Sequence, residues 1–226
     1  MSESTRSALE TFMRTPLRRI PGAVLAAAAT TLLVLGGAAP ASAAPPPPPS
    51  LDEVRGLLAE LEVEDEGSGS DYDRDLFPHW STVEGNCNTR EHVLKRDGDG
   101  VETGEDCYPT AGSWTSVFDD VTVSDPSEIS VDHFVPLAEA WRSGADTWTT
   151  DEREKFANDI DTGQLWAVTP ASNSAKGDKD PAKWMPEQES IHCDYALTWV
   201  HVKSTWKLSI DAEEKAAVEG LLDSAC

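Results

Sequence analysis

Two adjacent side chains that could carry out metal and acid–base chemistry lie at the end of an apolar, β-branched run in the segment ISVDHFVPLAEAW. They are Asp132 and His133. A carboxylate can bind a hard cation through oxygen, and a neutral imidazole can accept a proton from water near neutral pH. The same pair is also compatible with an ordinary hydrogen-bonded contact, so its role depends on what the fold brings beside it.

A second polar cluster follows about thirty residues later, in QLWAVTPASNSAKGDKD. Here Asn173 precedes Lys176 by three residues, in the pattern N-x-x-K. A strand ending in Asp-His, a loop, a second strand and a helix bearing Asn173 together predict a β–β–α arrangement. Such an arrangement brings the Asp-His pair and the helix residue to one metal-sized space. The alternative for Asn173 is a helix cap or a turn residue.

The residue types then predict individual roles. Asp132 and Asn173 offer the oxygen ligands that Mg²⁺ or Mn²⁺ prefers, leaving other coordination positions to water and phosphate oxygens. A neutral His133 would deprotonate the water that attacks phosphorus. Lys176 or Arg142 would hold a phosphate. The alternative for Lys176 is a solvated surface side chain.

The elements that position these residues follow a leader. Residues 1–43 combine Arg side chains, an apolar Ala-rich run and a small-residue site before Ala44, which predicts a secretory signal peptide. The alternative for the run is a membrane anchor. Residues 44–71 are predicted as a stiff Pro-rich linker, a short peripheral helix with a Ser50–Glu53 capping box, and a flexible acidic linker. Residues 72–226 are predicted as one compact domain.

Within residues 72–226, helical and strand patterns are mixed. TREHVLKR, with Thr89 as a possible cap, and two C-terminal segments have helical patterns, whereas SWTSVFDDVTVSD and QLWAVTP have strand patterns. All eight Trp lie in this part of the chain, so an aromatic core is expected. The fold class predicted is α+β.

The four cysteines are Cys87, Cys107, Cys193 and Cys226. An even number in an exported chain favours two disulfides, for which three pairings exist. We favour Cys87–Cys107 and Cys193–Cys226, because each closes a local loop. A zinc site made of all four thiolates is the alternative, although no C-x-x-C pair is present.

The charge is strongly acidic. The chain has 18 basic and 41 acidic residues; residues 1–43 contain four Arg and two Glu, so residues 44–226 keep 14 basic and 39 acidic residues, a net charge of −25. A surface of this sign repels polyanions at long range and argues against tight nonspecific nucleic-acid binding. It leaves room for a small basic or metal-bearing cleft.

In order along the chain, YDRDLFPHW, CNTREHVL, VDHFVPLAEAWRSGA, FANDI and QLWAVTPASNSAKGDKDPAKWMP form a specific series. With these motifs the chain resembles the HNH, or ββα-metal (His-Me finger), endonucleases. The resemblance is stronger to a secreted actinobacterial type that is related to the C-terminal domain of GmrSD-type restriction enzymes. It covers roughly residues 72–226.

The resemblance implies a residue set. Asp132 and Asn173 would be the metal ligands and His133 the general base. Gln164 takes the place of the middle Asn of the H…N…H/N pattern, where it would orient the histidine loop through a backbone contact. Arg90 would make either a phosphate contact or a structural salt bridge.

These observations together predict a disulfide-braced α+β domain with a ββα-metal core surrounded by helices. The expected activity is secreted, metal-dependent hydrolysis of nucleic-acid phosphodiesters, with DNA as substrate, Mg²⁺ or Mn²⁺ as cofactor and no membrane attachment after signal cleavage. Two alternatives stay open. One is a catalytically weak or degenerate HNH-fold module that binds a partner outside the cell, and the other is a hydrolase of a different phosphoester.

Overall fold

The computed structural model describes residues 44–226, and the predicted signal peptide lies outside the described residues. Within that part, the chain is an α+β fold of seven α-helices and three small antiparallel sheets. The helices are α1 (Leu51–Glu60), α2 (Thr89–Asp97), α3 (Leu137–Arg142), α4 (Thr150–Ala157), α5 (Pro170–Lys176), α6 (His192–Thr205) and α7 (Ala212–Ser224). The strands are β1 (Thr82–Glu84), β2 (Cys87–Asn88), β3 (Asp99–Thr103), β4 (Pro109–Thr115), β5 (Thr122–Val123), β6 (Ser130–His133) and β7 (Leu165–Val168).

The ribbon of β6 and β7 lies between two apolar cores. Because successive side chains of a strand point to opposite faces, Trp166 and Val168 join the larger core while Leu165 and Ala167 join the smaller one. The larger core contains the buried aromatic residues of α6, including Trp199 and the neighbouring Tyr195. The predicted aromatic core is therefore present, and it holds β7 buried on both faces.

The smaller core is closed by α2 and by the β3–β4–β5 sheet. Helix α2 is capped by Asn88, whose side chain accepts from the Glu91 backbone while the Glu91 carboxylate accepts from the Asn88 backbone. The helix was predicted, but its cap lies one residue before the expected Thr89. Trp114 of β4 is buried and donates its indole N–H to the Leu94 carbonyl oxygen at 2.7 Å, which ties the sheet to α2.

The N-terminal segment differs from the expected peripheral helix. Val54 and Leu58 of α1 are buried in the larger core, and α1 packs on α6. Beyond α1, the Ile210 N–H donates to the Glu62 carbonyl at 2.9 Å and the Glu64 N–H donates to the Ile210 carbonyl at 3.1 Å. The amphipathic spacing of α1 is thus used to bury its apolar face in the larger core, whereas the sequence predicts a helix peripheral to the domain.

The two disulfides are those favoured from the sequence. Cys87 pairs with Cys107, and Cys193 pairs with Cys226. The first joins β2 to the loop between β3 and β4, and the second joins the start of α6 to the residue that ends the chain after α7. All four thiols are used in this way, which excludes the zinc alternative.

Among residues 44–226, no helix is long and apolar enough to cross a membrane.

Candidate active site

Strands β6 and β7 and helix α5 bring the two polar clusters of the sequence together. The strands pair antiparallel with Asp132 opposite Trp166 and His133 opposite Leu165. Helix α5 follows β7 at once, because Pro170 occupies its first turn and the Thr169 hydroxyl accepts from the Ser172 N–H at 3.2 Å. The predicted order of strand, strand and helix is therefore present around the Asp-His pair.

A cleft of about 400 Å³ opens where these elements meet. Asp132, His133 and Asn173 all line it, so the three residues predicted from two separate motifs lie on one surface. The other residues of the wall come from the segment before β1, from β6, from the start of α3 and from the two positions after α5; they are Tyr72, Arg74, Val131, Pro136, Leu137, Ala138, Gly177 and Asp178.

The Asp132 carboxylate is held by a buried ammonium group. The Lys176 Nζ donates to its two oxygens at 2.9 and 2.7 Å and to the His133 carbonyl oxygen at 2.9 Å. Lys176 has no exposed surface, and Asp132 is buried as well. Burial raises the pKa of Asp132 and lowers the pKa of Lys176, and the contact between the two groups opposes both shifts.

His133 is held in one tautomer. Its Nε2 lies 2.9 Å from the Ala157 carbonyl oxygen, which can only accept, so Nε2 carries the proton and Nδ1 keeps a free lone pair. Burial is the main cause that lowers the pKa of His133 to about 3, with the nearby Arg74, His79 and Lys176 acting in the same direction. The ring is therefore neutral at physiological pH, as a general base must be.

Aromatic rings enclose the imidazole on one side. The Trp80 ring lies 5.4 Å from the His133 ring, tilted by 31°, and the His79 ring lies 6.0 Å away, edge-on. Trp80 has a φ of 61°, a left-handed conformation that is costly for a bulky residue and persists only where its surroundings hold it. The residue with the strained backbone is therefore the one whose ring lies against His133.

Asn158 fixes the segment that carries these rings. Its side chain donates to the Pro78 carbonyl at 2.9 Å and accepts from the Ser81 N–H at 2.9 Å, so it brackets His79 and Trp80 from both ends. Asn158 directly follows Ala157, whose carbonyl sets the His133 tautomer. The C-terminal end of α4 thus positions the imidazole and its aromatic neighbour together.

Gln164 makes the backbone contact that the sequence predicted for it. Its side chain has no exposed surface; Oε1 accepts from the Val135 N–H at 3.0 Å, and Nε2 donates to the Val135 carbonyl at 2.8 Å. Both amide atoms are therefore used to hold the chain just after the Asp-His pair. The longer side chain of Gln is fully accommodated in this position.

Asn173 is the freest of the three cleft residues. It is half-buried, and its side-chain amide has no hydrogen-bond partner among residues 44–226. Its backbone is fixed by α5, since its N–H donates to the Thr169 carbonyl at 3.0 Å. A helix-capping role, the alternative considered for Asn173, does not apply, because Thr169 caps this helix.

The three side chains predicted to contact phosphate, Lys176, Arg90 and Arg142, do not line the cleft, and each has partners within the protein. Lys176 is neither solvated nor free, since its three protons are directed at Asp132 and the His133 carbonyl. Arg90 donates to the carbonyl oxygens of Pro126 and Ile129, both at 3.2 Å, which ties α2 to the loop before β6. Lys176 thus contacts a carboxylate and a carbonyl oxygen of the protein, and Arg90 contacts two carbonyl oxygens.

Arg142 is committed to three carboxylates. It lies 2.8 Å from Glu66, 2.9 Å from Glu139 and 2.9 Å from Asp178. The acidic linker expected to be flexible is bound here, because the Gly67 N–H also donates to the Arg142 carbonyl at 2.8 Å. Arg142 therefore anchors this segment against α3 and the end of α5.

An acidic cluster outside the cleft has the spacing of a metal site. Ligand atoms of Glu66, Glu139 and Asp180 lie within 4.8 Å of one another. Arg142 contacts two of these carboxylates, and Lys183 contacts Glu66 at 2.7 Å and Asp180 at 2.6 Å. Protein cations already compensate these charges, so we assign the cluster to the ion-pair network that holds the N-terminal segment.

Sequence reasoning missed Arg74 and Tyr72 as residues of the cleft and Asn158 as its support. All three lie in motifs that carried the family resemblance, YDRDLFPHW and FANDI. The motifs were recognised, but the sequence does not indicate that these residues lie near His133, because they are more than 24 positions away from it.

The donors in the cleft suit a hard divalent cation. Asp132 supplies carboxylate oxygens and Asn173 an amide oxygen, the ligand types that Mg²⁺ and Mn²⁺ prefer. A carboxylate has about four acceptor positions, and Lys176 uses one on each oxygen. Acceptor positions therefore remain for a cation, while the ammonium group reduces the negative charge that would attract it.

Comparison with known proteins gives the class. Residues 100–218, more than half of the chain, match the family model described as "GmrSD restriction endonucleases, C-terminal domain". A protein of Arthroderma benhamiae named "Uncharacterized secreted protein" is 45% identical over 175 residues, which cover 77% of this chain and 86% of that protein. No solved structure matches the chain significantly.

The class that fold, cleft and comparison define together is a nuclease-related α+β domain. The chain belongs to the family of GmrSD restriction endonuclease C-terminal domains. The predicted relation to GmrSD C-terminal domains is thereby confirmed, while the HNH, or ββα-metal, assignment stays a prediction. The secreted actinobacterial type stays a prediction, because the relative named above is fungal.

Proposed function

We propose that this protein is a secreted, metal-dependent endonuclease that hydrolyses phosphodiester bonds in DNA. One observation carries the proposal: Asp132, His133 and Asn173 line the same cleft. Membership of a restriction endonuclease family supports DNA as the substrate. The two disulfides and the name of the fungal relative support export.

The groups of the chain suggest the following chemistry. His133 Nδ1 takes a proton from a water molecule, whose oxygen attacks phosphorus while the bond to the leaving oxygen breaks and that oxygen is protonated from solvent. Ala157 holds Nε2 protonated and Gln164 fixes the adjoining backbone, so that Nδ1 keeps its direction. Asp132 and Asn173 would hold Mg²⁺ or Mn²⁺, which stabilises negative charge on phosphate oxygens when bound.

The test is cleavage of supercoiled plasmid by the purified protein at low salt, with Mg²⁺, Mn²⁺ or EDTA. We expect nicking with either metal and none with EDTA. His133→Ala should reduce the rate at least about 100-fold, the usual contribution of a general base. His201→Ala is the matched control, because His201 is half-buried outside the cleft and should leave the rate unchanged.

Two results would count against the proposal. A His133→Ala variant that nicks plasmid as fast as the wild type would remove His133 from the mechanism. A folded wild-type protein that cleaves neither DNA nor RNA with any divalent metal would contradict nuclease activity altogether.

One observation favours a second candidate, the HNH-fold binding module. Lys176 occupies both oxygens of Asp132 and competes with a cation for them. Titration calorimetry with Mn²⁺ separates the candidates. Binding that is lost in Asp132→Asn supports the nuclease, whereas no binding at millimolar Mn²⁺ supports the binding module.

A further inference from the structure

We propose that Arg74 is a catalytic residue that binds the scissile phosphate and stabilises its charge during cleavage. This proposal rests on the proposed phosphodiesterase function and assigns to it a substrate contact. It assigns to Arg74 the phosphate contact that was predicted for Lys176, Arg90 and Arg142, none of which lines the cleft.

Arg74 lines the cleft, and hydrogen bonds fix its backbone. It begins a short 3₁₀ turn, Arg74–Leu76, whose cap residue Asp73 accepts from the Asp75 N–H at 2.9 Å. The Phe77 N–H donates to the Arg74 carbonyl at 3.1 Å, and the Phe77 ring is fully buried in the core. The backbone that carries the Arg74 side chain is therefore held in place beside the cleft.

Among the charged side chains that line the cleft, Arg74 differs from the others in having no ion-pair partner within residues 44–226. Three charged side chains line the wall: Asp132, Asp178 and Arg74. Asp132 is paired with Lys176 at 2.7 Å, and Asp178 lies 2.9 Å from Arg142, which it shares with Glu66 and Glu139. Within residues 44–226, the Arg74 guanidinium forms no ion pair with a carboxylate, so it is available to an anion that enters the cleft.

Arg74 also lines the same cleft as Asp132, His133 and Asn173, the residues assigned to the reaction. Asp73 and Asp75 flank Arg74 in sequence and are exposed, but neither lines the cleft. The guanidinium is thus the cation that an anion meets on entering.

The chemistry of the side chain suits this role. A guanidinium presents a planar set of N–H donors that binds two phosphate oxygens at once. Charge accumulates on those oxygens as the phosphoryl group is transferred, so a fixed cation beside them accelerates the reaction. Arg74 is exposed, and it therefore needs no internal partner when the substrate is absent.

Binding tests the proposal apart from cleavage. In a His133→Ala background, a fluorescein-labelled single-stranded 12-mer is titrated with protein in 5 mM EDTA, and anisotropy is followed at several NaCl concentrations. We expect Arg74→Ala to weaken binding and to reduce the slope of log K against log salt by about one. Arg55→Ala is the control, since Arg55 pairs with Asp223 on the surface away from the cleft.

Cleavage by proteins with His133 intact gives the second measurement. We expect Arg74→Ala to lower kcat/KM for the same oligonucleotide about 100-fold, as for removal of one donor to a developing oxyanion. Arg74→Lys should recover part of the loss, because it keeps the charge without the planar donor pair. Thermal unfolding of each variant confirms that it is folded.

The outcomes separate the two proposals. A wild-type protein that cleaves, with Arg74→Ala cleaving and binding equally well, overturns the role of Arg74 alone. A wild-type protein that does not cleave contradicts the proposed function, while the binding slopes still decide whether Arg74 contacts phosphate. An oligonucleotide that binds no form of the protein overturns the Arg74 contact.

Discussion

At the scale of single residues, the Asp132–Lys176 pair has a structural role besides any catalytic one. Both side chains are buried and form an ion pair, although they lie 44 positions apart in the sequence. An ion removed from water is tolerated only when a partner and further hydrogen bonds satisfy it. The same ammonium group also holds the His133 carbonyl, so it joins α5 to the end of β6.

A double-mutant cycle measures this coupling. We expect Lys176→Met and Asp132→Asn each to lower the free energy of unfolding by about 3–5 kcal/mol, because each leaves a buried group without its partner. The double variant should lose clearly less than the sum of the two, since it leaves no uncompensated charge. Urea unfolding in EDTA gives the values, and strict additivity would show that the two residues do not interact.

At the scale of elements, α3, α6 and α7 meet around one buried ammonium group. The Lys203 Nζ lies 2.9 Å from Glu139 and 2.7 Å from Glu214, and it also contacts Ser143 and the Ser209 carbonyl. Two carboxylates therefore share one cation. Burial is the main cause that raises the pKa of Glu214 to about 7; the charge of Glu139 raises it further, and Lys203 opposes the shift. Burial also acts to raise the pKa of Glu139, but Lys203 and hydrogen bonds outweigh it, so that this pKa is lowered.

The raised pKa of Glu214 predicts a loss of stability with rising pH. The folded protein holds this proton up to about pH 7, whereas the unfolded chain releases it near its ordinary value of 4.5. The stabilising contribution is thus fully present below about pH 4.5 and is lost as pH rises to about 7, by at most about 1.4 kcal/mol per unit. A Glu214→Gln variant lacks this pH-dependent loss of stability, because the amide does not titrate.

The measurement is urea unfolding of wild type and Glu214→Gln between pH 4 and 8, taken as a difference so that other titrating groups cancel. Glu213→Gln is the matched control, because Glu213 is exposed on the same turn of α7. A wild-type minus Glu214→Gln difference that stays constant with pH would contradict the raised pKa.

At the scale of the whole molecule, the acidic surface opposes the approach of a polyanion to the cleft that Arg74 lines. Residues 44–226 carry a net charge of −25, and repulsion acts over a Debye length, which falls from about 30 Å at 0.01 M salt to about 10 Å at 0.1 M. Most nucleic-acid-binding proteins lose affinity as salt is added. Here the long-range term has the opposite sign.

We therefore expect kcat/KM on long duplex DNA to rise as NaCl increases from about 10 to 100 mM at constant Mg²⁺, because screening removes repulsion faster than it weakens one phosphate contact. A small phosphodiester with a single charge, bis(p-nitrophenyl) phosphate, is the control and should change little. Cleavage of duplex DNA that slows steadily over the same range would show that the surface charge does not limit association.

The sequence by itself determined the features that depend on local pattern. It placed Asp132 and His133 at a strand end and Asn173 on the helix that follows the second strand, because side-chain periods of two and 3.6 can be recognised in short segments. It also gave the disulfide pairs, whose loops span 20 and 33 residues. The backbone contact of Gln164 followed from its place in the family pattern.

Only the tertiary structure decided which partner each cation takes. Lys176, Arg90 and Arg142 have long side chains whose partners lie tens of residues away in sequence, and no local pattern encodes that distance. The docking of α1 on α6 was hidden for the same reason, since an amphipathic face does not identify what covers it. Packing places Arg74 at the cleft, whereas Lys176, Arg90 and Arg142 contact carboxylates and carbonyl oxygens of the protein. Buried carboxylates and carbonyls need such partners in the folded protein.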